Sequence, residues 1–209
     1  MTLVIAARSS DDKIVIVADT AAYGSKSPNR PADGGLWTPV QKVHPIADGR
    51  IAIGLSGYFR GELSRTYGYF DRRVRDADNS LQSMTEHAYR AREEAYNSPV
   101  ENRETPAYMF CMAAPRGCRI AFTQPNKPLR FWAKKAHAIG SGSELSEVGD
   151  RLTEYRSDMK THELIDLLTD TLNEAKTITK DDKLPLNGTQ VCVLSYKDRF
   201  KELQYSEKD

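Results

Sequence analysis

The chain has 209 residues, 39% of them hydrophobic and 28% charged, with a formal net charge of +1. That length suits one domain with a sizeable core, and the balance excludes a disordered or fibrous chain. The near-neutral charge gives no general attraction to nucleic acid or acidic membranes, and no apolar run approaches the ~18 residues that a membrane-spanning helix needs.

The first predicted elements are two β-branched runs, "TLVIAAR" and "KIVIVADT", separated by the turn composition Ser9-Ser10-Asp11-Asp12. No basic and apolar leader with a small-residue cleavage site stands in front of them, so a cytoplasmic protein is expected. Ala22 to Pro39, rich in Gly, Pro, Ser and Asn, reads as a long loop. "QKVHPI" and "RIAIGLSG" form a second hairpin around Ala47-Asp48-Gly49. The period then changes: Phe59, Leu63, Tyr67, Phe70 and Val74 recur every three or four residues, as on one face of a helix. A second helix runs from about Leu81 to Asn97 and ends at Ser98-Pro99.

Strands resume with "AYMFCMAA", with "CRIAFTQ" after the turn Pro115-Arg116-Gly117, and with "LRFWAKKAHAIGSG", read as one strand. One helix begins near Glu144. Another starts at Thr161 as N-cap, with Leu164, Ile165, Leu168, Leu172 and Ala175 behind it. "TQVCVLSYK" and "KELQYS" close the chain. Cys111, Cys118 and Cys192 are too few and too scattered for a disulfide framework or a zinc site, and read as reduced thiols. Asn187-Gly188-Thr189 reads as a turn.

Strands come in blocks with helices in pairs between them, which argues against a doubly wound parallel sheet. "IVIVA" and "VCVL" are apolar on both faces and must be covered on both. A single domain over residues 1–209 follows, an α+β four-layer αββα sandwich of two antiparallel sheets between helix pairs. Tyr67, Tyr69 and Phe70 fall on more than one face of the first helix. Aromatics that miss the sheet then need another partner, and a homo-oligomer would supply one.

The common sites drop out in turn. His44, His87, His137 and His162 show no metal-ligand spacing, and there is no HExxH, no phosphate-binding Gly-Lys-Ser/Thr loop and no GxSxG. What remains is a spread of small polar residues at strand ends: Thr2, Asp19, Lys42, Gly57 and Ser141. Removal of Met1 would leave Thr2 with a free α-amine, of pKa about 8, beside its own hydroxyl. A Thr hydroxyl is a poor nucleophile without such a base. A nearby lysine would lower the amine pKa by like-charge repulsion, and an aspartate would hold that lysine. A glycine-turn N–H would stabilise an oxyanion. Each residue also has a plainer use: Asp19 as a turn cap with Thr20 and Tyr23, Lys42 as a surface charge, Gly57 as a tight turn, Ser143 as an N-cap.

With these residues in this order, the chain resembles the proteasome β-type subunits and their bacterial relatives, threonine proteases of the N-terminal nucleophile hydrolase superfamily. The resemblance spans nearly the whole chain. It rests on Thr2 opening the first strand, "VIVADT" ending at Asp19, "QKVHPI" with Lys42, "IGLSG" before a helix, and "AIGSGSE" before the third helix. It implies Thr2 as nucleophile with its amine as base, Asp19 and Lys42 as a supporting charge pair, Gly57 as the oxyanion donor, and Ser141 bonded near the amine. The family's further acid falls on Asp181 or Asp182. Its last serine has no match, with Asn187 the nearest polar substitute.

The implied activity is cleavage of peptides or unfolded proteins without metal or organic cofactor. The implied assembly is a homo-oligomeric ring or open ring, compatible with an ATP-driven unfolding partner. Two alternatives stand beside it: a non-catalytic structural subunit whose Thr2 stays blocked by Met1, and an amidase or peptide ligase using the same threonine.

Overall fold

The computed structural model describes residues 1–21, 40–56, 63–97, 107–123, 130–132, 136–182 and 186–204. The predicted loop over residues 22–39, Gly57, Phe59 and the helix end at Ser98-Pro99 lie outside them. Strand β1 (Val4–Arg8) turns back through Ser10, Asp11 and Asp12 into β2 (Lys13–Ala18). Asp12 takes the left-handed conformation at φ +56°, which Asp tolerates better than most residues. Ser9 closes the turn, its hydroxyl accepting the Lys13 N–H at 3.1 Å. The second hairpin joins β3 (Val43–Ile46) to β4 (Ile51–Ser56) through Ala47, Asp48 and Gly49, all at positive φ. Asp71 stabilises that unusual turn by accepting the Ala47 N–H at 2.8 Å.

Helices α1 (Leu63–Val74) and α2 (Leu81–Asn97) follow as expected. Strands β5 (Ala107–Ala114) and β6 (Gly117–Phe122) form the next hairpin. The run read as one strand after it is two: β7 (Arg130–Trp132) and β8 (His137–Ile139), in different sheets. β-propensity is local and does not say which sheet edge a strand joins. β6 takes β7 on one edge, and β1 takes β8, with Val4 opposite Ile139.

A 3-10 turn over Ser141–Glu144 precedes α3 (Ser146–Thr153), so the helix starts later than the sequence indicates. Ser143 is no helix cap; its hydroxyl donates to the Gly140 carbonyl at 2.6 Å. Lys160, not Thr161, is the N-cap of α4 (Thr161–Thr179), and Glu163 accepts the Lys160 N–H at 2.6 Å. The Thr161 hydroxyl instead bonds both carboxylate oxygens of Asp11, tying the helix to the first hairpin. Strands β9 (Gln190–Ser195) and β10 (Arg199–Leu203) complete the fold.

Among the described residues both sheets are antiparallel and five-stranded, ordered β10-β9-β2-β1-β8 and β3-β4-β5-β6-β7. β2 shows why its sequence does not alternate. Ile14, Ile16 and Ala18 face the other sheet, and Val15 and Val17 face the Leu164, Leu168 and Leu172 stripe of α4. The second sheet covers its outer face with Phe70 and Val74 of α1 and Met84, Ala88 and Ala91 of α2. Small alanines let that helix lie close. Three apolar cores therefore separate helices, sheet, sheet and helices. All three cysteines are free and buried, with Cys192 at the centre of the inter-sheet core. Tyr69 finds its partner within the chain: its hydroxyl donates to the Ala91 carbonyl of α2 at 3.1 Å. No helix among the described residues is long and apolar enough to cross a membrane.

Candidate active site

The first hairpin brings Thr2 to Asp19. Beyond the paired residues Val4 and Ala18, the Leu3 N–H donates to Asp19 Oδ1 at 2.7 Å and the Asp19 N–H donates to the Leu3 carbonyl at 3.1 Å. Asp19 Oδ2 accepts the Ala21 N–H at 3.0 Å. The carboxylate is thus locked against the chain ends of both strands, and it is fully buried.

Lys42 arrives from the other sheet. Its Nζ donates to Asp19 Oδ2 at 2.6 Å and to Thr2 Oγ1 at 3.1 Å. The reach depends on how closely the sheets approach here. Gly54 lies opposite Val43 in the β3–β4 register. A Cβ on Gly54 would lie 2.8 Å from Val4 Cγ1, closer than such contacts allow, so the missing side chain lets β1 nest onto β4. The neighbouring Leu55 N–H holds the Lys42 carbonyl at 3.0 Å.

A third segment closes on Thr2 from β8. Gly140 has φ +103°, and a Cβ there would lie 2.3 Å from the Thr2 carbonyl oxygen and 2.6 Å from Ser56 Oγ. Glycine is required on both counts. The chain then places Ser141 Oγ 3.2 Å from the Thr2 nitrogen, which donates to it. The Gly142 N–H donates to the Thr2 carbonyl at 3.0 Å. Four predicted residues, Thr2, Asp19, Lys42 and Ser141, thus meet at one point. Thr2 is partly exposed and Ser141 exposed, while the charge pair beneath is buried.

Burial dominates the electrostatics of that pair. It pushes the Lys42 ammonium below the ordinary lysine range, and the adjacent Asp19 carboxylate opposes the shift. It pushes Asp19 upward, against the pull of Lys42 and the two backbone N–H groups. The Met1 amine is lowered by burial; Asp19 opposes this and Lys42 adds to it. An ammonium donating to Thr2 Oγ1 favours the hydroxyl oxygen as negative charge builds on it.

Asp181, Asp182 and Asn187 form no hydrogen bond with these four residues. Asp181 and Asp182 are exposed, and Asp182 is tied by its N–H to the Thr179 carbonyl at the end of α4. Asp182 reaches the site only as a charge that favours protonation of the Met1 amine. Asn187 is no stand-in for a serine: its side chain accepts the Gly188 N–H in its own turn, and its carbonyl accepts the Thr20 N–H. Gly57 lies outside the described residues. Among the described residues, no three His, Cys, Asp or Glu side chains gather as metal ligands do.

Sequence reasoning misses Gln190. Buried at the head of β9, it accepts the N–H groups of Lys42 and Val43 through Oε1, both at 3.0 Å. Its Nε2 donates to the Val43 carbonyl at 3.0 Å. The available signal is a lone polar residue opening the apolar run "QVCVL". No family model and no curated protein matches this chain.

Proposed function

We propose that the chain is a threonine-type N-terminal nucleophile hydrolase that cleaves peptide bonds through Thr2 after removal of Met1. In this reading the two-sheet architecture is the sandwich of the proteasome-like hydrolases that the sequence resembles. One observation carries it: Lys42 Nζ sits 3.1 Å from Thr2 Oγ1 while paired to buried Asp19. A lysine buried beside a hydroxyl, with its charge balanced from behind, is an expensive arrangement for a merely structural contact.

The chemistry follows from those positions. With Met1 gone, the Thr2 nitrogen becomes an amine beside Oγ1 and within hydrogen-bond reach of Ser141 Oγ. Burial, which lowers the neighbouring Met1 amine, and the positive charge of Lys42 both lower the proton affinity of an amine here, against the opposing Asp19 carboxylate, so more of it is neutral near pH 7. Thr2 Oγ1 attacks the peptide carbonyl carbon as the amine takes the hydroxyl proton. The tetrahedral intermediate collapses, the C–N bond breaks, and the leaving amine takes the proton back. The acyl group remains on Oγ1 as an ester. Water, deprotonated by the same amine, then releases the acid and frees Thr2. The oxyanion role of Gly57 rests on the resemblance alone, as does enclosure of the site in a homo-oligomeric ring that admits peptides or unfolded chains.

The intact mass of the purified protein tests the first requirement, loss of Met1. Thr2→Ala then abolishes hydrolysis of unstructured peptides with the fold intact, and Thr2→Ser retains activity. Full activity in Thr2→Ala overturns the reading. A mass that still includes Met1, with no hydrolysis, favours a non-catalytic subunit.

A further inference from the structure

Lysine is a flexible tether. Four side-chain torsions separate its backbone from its charge, so where Nζ sits depends on how firmly the backbone is held. At Lys42 the grip comes from a residue 148 positions away in sequence. Gln190 is 2% exposed, and its amide satisfies three main-chain groups at once: the Lys42 N–H, the Val43 N–H and the Val43 carbonyl. Among the described residues β3 is an edge strand of its sheet, and this side chain does for it what a neighbouring strand would do. Because Gln190 belongs to β9 of the opposite sheet, it also fixes the two sheets against each other beside the candidate site.

We propose that Gln190 is a positioning residue, holding the backbone from which the Lys42 side chain reaches Thr2 and Asp19. The role rests on the reading of Thr2 as the nucleophile. The main-chain groups it meets are buried at a strand edge, where an apolar side chain would leave them unpaired. All three bonds fall on Lys42 and the residue beside it. A shift of about 1 Å at such a group can cost about 10²-fold in rate.

The test is acylation of the purified protein by a β-lactone, followed by intact mass across a range of pH. Thr2 Oγ1 attacks the lactone carbonyl as the Thr2 amine takes the hydroxyl proton, the ring C–O bond breaks, and the freed ring oxygen receives that proton from the amine. The protein gains the whole lactone mass as an ester. Gln190→Met keeps the volume and removes all three bonds. It is expected to acylate about 10–100-fold more slowly at neutral pH with its circular dichroism unchanged. The acid limb of its pH–rate profile moves to higher pH, because a Lys42 ammonium that strays no longer depresses the amine.

Gln190→Glu repeats the amide pattern while protonated, through one accepting and one donating oxygen. It matches wild type on the acid side and falls behind as the carboxyl ionises. A purely structural clamp predicts an unmoved acid limb and a loss proportional to the unfolded fraction, and that result overturns the proposal. If Gln190→Met does not fold, Gln190→Glu decides: a wild-type profile throughout overturns the role. A wild-type protein that is not acylated at Thr2 removes the parent reading, and the Gln190 role with it. Acylation of wild type and both variants at equal rates removes the Gln190 role alone.

Discussion

Lys42 Nζ stands 2.6 Å from Asp19 Oδ2, with no more than 7% of either side chain exposed. Buried ion pairs are costly to assemble, yet breaking one strands a charge and costs about 3–5 kcal/mol. Lys42→Ala is therefore expected to lower stability by roughly that amount, as read by chemical denaturation. At temperatures where the variant is still folded, peptide hydrolysis should also fall ~10²–10⁴-fold. Activity lost only in step with unfolding would make Lys42 a structural residue.

Gly140→Ala should be far more harmful than its size implies. The added methyl meets the Thr2 carbonyl and Ser56 Oγ, and the backbone at φ +103° already disfavours any side chain. The expected cost is of order 1–3 kcal/mol of stability. Acylation should slow as well, because Thr2 itself must shift. Gly149→Ala is the control: nothing lies within 4 Å of its Cβ position in α3, so helix propensity favours the alanine by up to ~1 kcal/mol. Equal melting temperatures for the two variants would refute the steric account.

His137 gives the fold an acid-sensitive step. Burial lowers its pKa to about 4, and its ring stacks on Phe122 with centroids 3.4 Å apart. The folded pKa lies below the unfolded value of about 6.5. The unfolded chain therefore binds more protons between the two, and stability contributed by neutral His137 is lost as pH falls from about 6.5 through about 4. Urea midpoints across that window should drop for wild type and flatten for His137→Phe. A parallel drop in both would assign the effect elsewhere.

Assembly is the fourth test. Tyr67, Tyr69 and Phe70 all have partners inside the chain, so these three no longer argue for a second copy. The proposed ring then rests on the resemblance and on the proposed peptide-cleaving activity, which enclosure would restrain. Light scattering is expected to give an oligomer of about six or seven copies. A stable monomer at micromolar concentration that still cleaves peptides would favour an amidase or ligase.

The strands of the first two hairpins are legible in the sequence because turn composition brackets β-branched runs. So is the trio Thr2, Asp19 and Lys42, because each is a polar residue beside an apolar strand. What escapes is relational. "LRFWAKKAHAIGSG" has β character throughout, but the change of sheet between Trp132 and His137 depends on which edges stand open. Thr161 looks like a cap until Asp11 is seen beneath it. Gln190 carries information only once β9 lies across from Lys42. Asp182 has the right charge and the right neighbourhood in sequence, yet the end of α4 keeps it at the surface.

The strand order has a consequence for how the protein is made. β9, residues 190–195, is not at an edge but between β2 and β10. During synthesis, β2 lacks its β9 neighbour until residues 190–195 have left the ribosome. Gln190 cannot grip Lys42 before then, however early the two hairpins form. Such long-range pairing is slow to complete and comes late in folding. A chain cut short before residue 190 lacks that grip, so order of translation itself delays completion of the Thr2 site until residues 190–195 have been made.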